Sequence, residues 1–302
     1  MKTIKINFVD FWPSFHKKDN YFFHLLSQKF DVLIDDVDPD IVFGSYDFGK
    51  KQEILKYEKH RSLKAYYTGE SDAPRGYPYD INFTQRRGIE DINHMRIPLW
   101  AFFCSWFGEN NHILNRDPSY LTPYKGLDKS KVDLEAIYDA RKRFCNFIYV
   151  DETIERVKWF DSISQIGTVD SAGKLRNNLG MTIAGRGDQI YKQIFMSEHL
   201  FSLGIENCGI DGYATEKLLH PMSVVSIPIY WGDTNVHLDV NINSIIDLRN
   251  KDIKDAQEEV SYISSTKNRY LDKLSNPWFI LDHRKTYMSD VLDFIEHAMI
   301  RK

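Results

Sequence analysis

The densest group of chemically capable side chains lies in the segment Phe201–Lys217. We expect a strand to end at Ile205, a glycine-bearing loop to follow, and a helix to begin near Thr215. The unpaired N–H groups and positive dipole end of a helix start favour a diphosphate, and Lys217 adds a full positive charge there. Glu216 in the first helical turn could bond the hydroxyls of a ribose. The plainer interpretation is that Thr215 caps the helix while Glu216 and Lys217 lie on a solvated face.

Two further segments carry charge at positions where α/β proteins bind ligands. Lys174–Asn178 follows Ser171-Ala172-Gly173, and the planar fork of Arg176 suits phosphate oxygens. Glu70 ends Tyr66-Tyr67-Thr68-Gly69-Glu70, at the carboxyl end of an expected strand. Each has a plainer alternative, which is a solvated side chain in a loop for Arg176 and a strand-end carboxylate in water for Glu70.

Several familiar motifs are missing from the sequence. Gly185-Arg186-Gly187 is not followed by a third glycine at the dinucleotide-binding spacing, and no G-x-x-x-x-G-K-[ST] occurs. The ten histidines form no H-E-x-x-H, no G-x-S-x-G occurs before a helix, and the three cysteines are too few for a zinc or disulfide framework. The sequence therefore lacks the motifs that would indicate a dehydrogenase, a P-loop protein, a zinc protease or an α/β-hydrolase.

The elements that must position these residues alternate between strands and helices. The predicted strands are Ile4–Val9, Val32–Ile34, Ile41–Gly44, Ala65–Thr68, Phe147–Val150, a strand near Gly167, Phe201–Ile205 and Ile227–Tyr230. The predicted helices are Tyr21–Phe30, Val132–Phe144, one through Trp159 and Ile163, Gln189–His199, Thr215–Ser223, Ile253–Leu274 and Lys285–Ile300. A long loop is expected over Trp106–Lys131. This alternation indicates parallel α/β construction.

Length and composition limit the number of domains and the classes of partner that this protein can have. The 302 residues suggest about two domains, and 42% hydrophobic with 27% charged residues is ordinary globular chemistry. A formal net charge of -4 gives no general positive field for a nucleic acid or an anionic membrane. Because polar residues interrupt the apolar N-terminal run, the sequence predicts a cytoplasmic protein. The alternative is peripheral attachment to the inner membrane.

Taken together, these segments resemble the bacterial α1,3-fucosyltransferases of glycosyltransferase family 10. The residues that carry the resemblance are Phe201, Glu206-Asn207, Tyr213-Ala214-Thr215-Glu216-Lys217 and Pro228-Ile229-Tyr230-Trp231-Gly232. Further similar segments are Thr68-Gly69-Glu70, Met95-Arg96-Ile97-Pro98-Leu99, Leu175–Gly180 and the aromatic Asp10-Phe11-Trp12. Ala214 and Ile205 depart from the usual Val and Phe, which affects packing more than chemistry.

The resemblance implies a fold and a reaction. The fold would be α/β with the GT-B architecture, in which two Rossmann-like domains face a central cleft. Residues 1–141 would bind the acceptor, and residues 142–302, including the C-terminal helices, would bind GDP-fucose. Whether the last helix packs on the first domain stays open. The reaction would move L-fucose from GDP-β-L-fucose, with inversion, to the 3-OH of GlcNAc or Glc in N-acetyllactosamine or lactose. Its α1,3-linked products are of the Lewis X type.

The same resemblance assigns roles to single residues. Glu70 is the expected general base, with Asp10 and Asp72 as rival carboxylates. The expected donor contacts are Arg176 and Lys217 on the diphosphate, Asn207 and Tyr213 nearby, Glu216 on the ribose and Glu206 on the fucose. No metal or other cofactor is required, although a divalent metal could stimulate the reaction.

Two alternatives stay open beside this hypothesis. One is a GT-B transferase that uses another nucleotide sugar or forms an α1,4 linkage. The other is a two-domain protein that binds sugar without chemistry. The expected partners are GDP-fucose and an oligosaccharide acceptor, with no nucleic acid and at most peripheral membrane contact. The sequence does not decide the oligomeric state.

Overall fold

The computed structural model describes residues 1–46, 52–107, 122–183 and 189–302. The segment Gly185-Arg186-Gly187 and most of the loop expected over Trp106–Lys131 lie outside these residues. Among the described residues, 1–107 and 282–302 form one compact unit, and 122–281 form a second. We call them unit 1 and unit 2.

Unit 1 is built on a parallel sheet. Its strands are β1 (Lys2–Val9), β2 (Phe30–Ile34), β3 (Ile41–Gly44), β4 (Leu63–Tyr67), β5 (Ile81–Thr84) and β6 (His94–Arg96). Their order in the sheet is β2-β1-β3-β4-β5-β6, and every pairing is parallel. The helices are α1 (Tyr21–Leu26) and α2 (Leu99–Phe102), and a 3-10 turn spans Glu53–Tyr57. A short strand, β7 (Cys104–Ser105), follows α2.

The central strands of unit 1 are covered on both faces. All four residues of β3 and all five of β4 are buried, as strands of a doubly covered parallel sheet require. Aromatic rings fill much of the space between sheet and helices. Phe22 of α1 stacks on Phe43 at 4.4 Å between ring centroids, so this amphipathic helix is held by its apolar face.

Unit 2 contains a second parallel sheet, in the order β10-β9-β11-β12-β13. After β8 (Thr122–Pro123), its elements are α3 (Leu134–Ala140), β9 (Arg143–Phe147), α4 (Ile154–Ile163), β10 (Val169–Ser171), α5 (Gln189–Ser197), β11 (His199–Ile205), α6 (Glu216–Ser223), β12 (Ile227–Trp231), β13 (Ile246–Asp247), α7 (Ile253–Ser264) and α8 (Lys267–Ser275). A 3-10 turn covers Tyr124–Leu127.

One glycine sets the distance between β11 and α6. A Cβ atom at Gly204 would lie 2.7 Å from the carbonyl oxygen of Lys217. Only a residue without a side chain lets the helix approach the strand this closely. Gly204 therefore brings the start of α6 against the end of β11.

The predicted alternation of elements is confirmed, but some boundaries are wrong. The helix expected over Val132–Phe144 ends at Ala140, because β9 begins at Arg143, before the strand start expected at Phe147. The helix expected over Ile253–Leu274 is two helices, since Thr266 accepts a hydrogen bond from the Arg269 N–H and starts α8. Strands β5 and β6 were not predicted. Polar residues interrupt both strands, INFT in β5 and HMR in β6, so neither forms the short apolar run that marks a buried strand.

The last helix, α9 (Val291–Arg301), belongs to unit 1. The division expected at residue 141 placed it with the second domain, and the tertiary contacts correct this. The Tyr21 hydroxyl donates to the Tyr287 carbonyl at 2.6 Å, and Lys29 pairs with Glu296 at 2.6 Å. The apolar side of α9 is buried against unit 1, which local sequence pattern could not reveal.

Two parallel sheets with helices around them confirm the predicted α/β class. Across the described parts of the chain, the longest helix is α7 with 12 residues, and none is long and apolar enough to span a membrane.

Candidate active site

The strand order of each sheet shows where a ligand should bind. Open α/β sheets take ligands outside the carboxyl ends of their strands, at the point where the strand order reverses. In unit 2, β9 has β10 on one side and β11 on the other, so the reversal lies between β9 and β11. In unit 1 the reversal lies between β1 and β3 for the same reason. The loops after these strands are therefore the expected ligand-binding positions.

In unit 2, the loop after β11 ends in a buried charge cluster formed by Glu206, Thr215, Glu216 and Lys217. The Glu206 carboxylate is 0% exposed and accepts hydrogen bonds from the Thr215 N–H and hydroxyl, each at 2.8 Å. The Lys217 ammonium lies 3.3 Å from Glu206 and 3.2 Å from Glu216. Thr215 is the N-cap of α6, as predicted.

The solvated-face alternative for this segment is wrong. The side chains of Glu216 and Lys217 are only 21% and 15% exposed. Burial lowers the pKa of Lys217, but the Glu216 and Glu206 carboxylates outweigh it and raise that pKa above its usual value. Lys217 is therefore a permanent positive charge at the N-terminus of a helix.

Burial raises the pKa of Glu206, and the Lys217 ammonium only partly offsets that effect. Burial acts on Glu216 in the same direction, but the ammonium groups of Lys217 and Lys192 outweigh it and hold the pKa of Glu216 below its usual value. Glu216 is thus ionised at the head of α6. A buried Glu206 held by Thr215 and Lys217 does not favour the direct fucose contact expected for it. Its geometry supports the helix start instead.

Asn207 lies next to the cluster and is held by a residue of helix α4. Its side-chain oxygen accepts a hydrogen bond from the guanidinium of Arg156, in the first turn of α4. Arg156 is 3% exposed, donates to the Asp151 carbonyl at 2.8 Å and lies 4.3 Å above the ring of Tyr149. Arg156 thus joins α4 and the loop after β9 to the loop after β11, across the point of strand reversal.

Sequence reasoning missed Arg156 and Lys192. Arg156 lies 51 residues from Asn207 along the chain, and no local motif marks either cation. Lys192 lies in α5, and its effect on Glu216 follows only from the packing of α5 near α6.

One of the expected donor contacts, Arg176, has its partner outside the cluster. Arg176 follows β10 with a φ of 55°, and its guanidinium pairs with Asp161 of α4 at 2.9 Å. That ion pair is open to solvent, since the two side chains are 43% and 51% exposed. Tyr213, in the loop before α6, is 3% exposed, and its phenol is near enough to Lys217 to help raise the pKa of that ammonium.

In unit 1, Glu70 follows the carboxyl end of β4, as predicted. Its N–H donates to the Thr68 hydroxyl at 3.0 Å, and its side chain is half-buried. A Cβ atom at Gly69 would lie 2.8 Å from Leu99, so a glycine here lets the strand end pass close to α2. Burial and the nearby charge of Glu70 both raise the pKa of Tyr67.

The two rival carboxylates have other partners. Both oxygens of Asp10 accept backbone N–H groups, from Glu53 at 2.9 Å and from Ile54 at 3.0 Å. Asp10 therefore anchors the 3-10 turn. Asp72 accepts a hydrogen bond from the Tyr66 hydroxyl at 3.4 Å and lies 3.6 Å from the Arg75 guanidinium. Within residues 1–46, 52–107, 122–183 and 189–302, no three His, Cys, Asp or Glu side chains group as metal ligands.

Two family models match the chain. Residues 6–103 match the N-terminal domain of the α-(1,3)-fucosyltransferase FucT, and residues 141–278 match the C-terminal part of glycosyltransferase family 10 (fucosyltransferase). The candidate site residues Glu70, Glu206 and Lys217 all lie within the matched segments.

Individual relatives agree with these matches. An α-(1,3)-fucosyltransferase, FucT, of Helicobacter pylori is 28% identical over 92% of this chain and 60% of its own length. An α-(1,4)-fucosyltransferase of Arabidopsis thaliana is 44% identical over 17% of this chain and 13% of its own length. The chain thus spans about 60% of the Helicobacter relative.

A solved structure shares the fold. The crystal structure of an α1,3-fucosyltransferase with GDP-fucose is similar with a TM-score of 0.72 and 22% identity, over 99% of this chain and 90% of that one. This likeness confirms the predicted GT-B class of fold.

Proposed function

We propose that this chain, which belongs to glycosyltransferase family 10, transfers L-fucose from GDP-fucose to a hydroxyl group of a sugar acceptor. The observation that carries the proposal is the buried cluster of Glu206, Thr215, Glu216 and Lys217 at the start of α6. A fixed positive charge at a helix N-terminus binds a diphosphate and stabilises it as a leaving group. The structurally similar α1,3-fucosyltransferase solved with GDP-fucose supports the choice of donor.

Unit 2 is the donor-binding part of this proposal. Lys217 binds the diphosphate, and the ionised Glu216 accepts hydrogen bonds from the ribose hydroxyls. The exposed side chain of Asn207, held by Arg156, is a further donor contact. Tyr213 contributes by shaping the loop, and Arg176 joins the diphosphate by releasing its solvent-exposed pair with Asp161.

Glu206 has a positioning role in this scheme. Its carboxylate is fully buried and holds both the N-cap Thr215 and the ammonium of Lys217. It therefore fixes the direction of Lys217 without touching the sugar.

Unit 1 supplies the base and binds the acceptor. The acceptor oxygen forms a bond to the anomeric carbon of fucose while the bond from that carbon to the diphosphate breaks. The leaving electron pair goes to GDP, and the proton of the acceptor hydroxyl goes to Glu70. A single displacement of this kind inverts the anomeric carbon and turns a β-linked donor into an α-fucoside. Asp10 does not suit the role of base, because both of its oxygens already bind backbone N–H groups.

The acceptor we propose is N-acetyllactosamine or lactose, with transfer to the 3-OH of GlcNAc or Glc and a Lewis X type product. The match to an α-(1,3)-fucosyltransferase over 92% of this chain favours this linkage. An α1,4 linkage is the second candidate, since a plant α-(1,4)-fucosyltransferase is 44% identical over a shorter segment.

The test is a panel of nucleotide sugars offered with N-acetyllactosamine, lactose and lacto-N-biose. We expect transfer from GDP-fucose alone, with an α1,3 linkage in the NMR spectrum of the product. Transfer from a UDP- or ADP-sugar would contradict the donor assignment. Binding of GDP-fucose with no product and no GDP release would show a binding protein instead.

A further inference from the structure

We propose that Gln85 and Arg86, in the loop after β5, are positioning residues that hold the backbone on both sides of Glu70. This inference rests on the proposed function, in which Glu70 takes the proton of the acceptor hydroxyl. No local motif in the sequence marks either residue. We call the hydrogen bonds from the side chains of Gln85 and Arg86 to the backbone around Glu70 the backbone clamp.

The pairing of β4 with β5 brings the two loops together. The strands run parallel with Tyr67 opposite Phe83, and the Thr68 N–H donates to the Phe83 carbonyl at 3.2 Å. Because the strands are parallel, their carboxyl ends lie at the same edge of the sheet. The residues that follow β5 thus reach the loop that carries Glu70, although they lie 15 or 16 positions further along the chain than their partners.

Gln85 holds the residue before Glu70. It is 1% exposed. Its side-chain N–H donates to the Gly69 carbonyl, and its side-chain oxygen accepts from the Leu99 N–H at 3.1 Å. Leu99 is the first residue of α2, so its N–H has no partner within the helix. One buried amide therefore satisfies a strand-end carbonyl and a helix-start N–H, which requires both its donor and its acceptor.

Arg86 holds the residue after Glu70. Its guanidinium donates two hydrogen bonds to the Ser71 carbonyl, from Nε at 3.1 Å and from Nη2 at 2.8 Å. The Arg86 N–H also donates to the Thr84 hydroxyl at 3.3 Å, which fixes the backbone from which the guanidinium extends. Hydrogen bonds from a charged donor are stronger than those between neutral groups. Two neighbouring side chains thus bind the carbonyls on both sides of Glu70.

The backbone clamp is itself supported by the strand on its other side. The Arg96 guanidinium, at the end of β6, donates to the Gln85 carbonyl at 2.8 Å. Within the loop after β4, the Glu70 N–H donates to the Thr68 hydroxyl at 3.0 Å. Residues at the ends of β4, β5 and β6 therefore fix the backbone from which the Glu70 carboxylate extends.

A fixed backbone matters for a general base. The base acts only if its oxygen stays within hydrogen-bond reach of the proton that it takes. A misplacement of about 1 Å can slow a reaction about 10²-fold, because the reacting atoms are no longer aligned. Support from neighbouring residues prevents such a displacement. The backbone clamp should therefore act on kcat, whereas binding of GDP by unit 2 should not depend on it.

The experiment uses three variants of the backbone clamp, which are Gln85→Met, Arg86→Ala and Arg86→Lys. Methionine has nearly the length of glutamine but no N–H to donate, so Gln85→Met removes the hydrogen bond to Gly69 with little change in volume. Lysine keeps one charged donor in place of the two-pronged fork of arginine. Arg86→Lys should therefore keep part of the contact with Ser71.

Two control variants match these changes. Arg61→Ala removes an exposed arginine that pairs with Asp38 before the amino end of β4, the end opposite to Glu70. Asn241→Ala removes a buried amide of unit 2 that donates to the Pro277 carbonyl at 3.0 Å. Both controls should keep the wild-type kcat, even where the melting temperature falls.

We expect kcat to fall about 10- to 100-fold in Gln85→Met and in Arg86→Ala. KM for N-acetyllactosamine and Kd for GDP should stay near the wild-type values, and Arg86→Lys should recover part of the lost kcat. In a chain that already carries Glu70→Gln, neither substitution should lower kcat further, because all three residues act through the same carboxylate. A purely structural role would not produce this non-additivity.

Hydrogen–deuterium exchange gives a readout that does not depend on turnover. Residues 68–72 should exchange faster in Gln85→Met and Arg86→Ala than in the wild type and in both controls, because the loosened backbone opens the hydrogen bond of the Glu70 N–H. If the wild-type chain transfers no fucose but exchange still responds in this way, the transferase function fails and the backbone clamp stands.

Four results would overturn the proposal. The first is an unchanged kcat in Gln85→Met and Arg86→Ala, and the second is unchanged exchange of residues 68–72 in both. The third is a loss of kcat that adds fully to that of Glu70→Gln, since Gln85 and Arg86 would then act on another group. The fourth is a raised KM with an unchanged kcat in Arg86→Ala, which would make Arg86 a substrate contact instead.

Discussion

Replacing Lys217 by Met should separate the stabilising role of the charge cluster from its binding role. Lys217 lies 3.3 Å from Glu206, which is 0% exposed. At an effective dielectric of about 20, a charge pair at this distance is worth about 5 kcal/mol before desolvation. Removing one partner of a buried pair typically costs about 3–5 kcal/mol, because the other charge stays buried without compensation. We expect Lys217→Met to lower the free energy of unfolding by about 3–5 kcal/mol.

A second substitution should restore most of this loss. Gln at position 206 carries no charge and can still accept the hydrogen bond that the Thr215 N–H donates to Glu206 at 2.8 Å. The double variant Lys217→Met/Glu206→Gln should therefore be more stable than Lys217→Met alone. The affinity for GDP should stay reduced in the double variant, since the Lys217 ammonium is absent from both variants. We expect a loss of about 1.5–3 kcal/mol in GDP affinity in each.

The dependence on pH gives an independent check. Burial already raises the pKa of Glu206 above its ordinary value of 4.5, and loss of Lys217 raises it further. A carboxyl group with a raised pKa in the folded state favours folding below its ordinary pKa, and that contribution is lost as the pH rises through the raised value. The loss in free energy of unfolding caused by Lys217→Met should thus shrink as the pH falls towards the ordinary pKa of a Glu carboxyl group and grow towards neutral pH. The double variant should lack this trend.

Urea unfolding followed by circular dichroism, from about pH 5 to about pH 8, measures these differences, and calorimetric titration measures GDP binding. Two results would refute the reasoning. One is a Lys217→Met variant within about 1 kcal/mol of wild type at neutral pH. The other is a double variant no more stable than the single one.

Three further outcomes are expected. Glu70→Gln should lower kcat by about 10²–10⁴-fold with unchanged GDP affinity. Asp10→Asn should mainly lower the melting temperature, because it weakens the anchor of the 3-10 turn. Near-normal transfer by Glu70→Gln together with inactivity of Asp72→Asn would assign the base to Asp72. Arg176→Ala should weaken GDP binding by about 1.5–3 kcal/mol. Asp161→Ala, which frees the Arg176 guanidinium from its ion pair, should leave GDP binding unweakened. If GDP raises the melting temperature of Arg176→Ala as much as that of wild type, the diphosphate binds elsewhere. Saturating EDTA should leave the chemical step intact, since Lys217 already supplies a fixed positive charge to the leaving group; loss of turnover that Mn²⁺ restores would contradict this.

Much of the candidate site could be predicted because its residues are close together along the chain. Glu206, Thr215, Glu216 and Lys217 belong to one strand-loop-helix segment, and its cap, helix start and strand end follow local rules. The strand Ile41–Gly44 was predicted to the residue, since a short apolar run bounded by turn residues marks a buried strand. The position of Glu70 after a strand was local information of the same kind.

Tertiary structure decided which of these residues meet others, and in what environment. The sequence could not show that Arg156 reaches Asn207, that Asp10 binds the N–H groups of Glu53 and Ile54, or that α9 packs in unit 1. Composition alone even favoured a solvated face for Glu216 and Lys217, which their burial excludes. Burial and long-range hydrogen bonds depend on how the sheets and helices pack, and residues that are tens of positions apart leave no periodic or local signal of that packing. The sequence therefore determined the chemical groups and their local scaffold, whereas packing determined their charge states and partners.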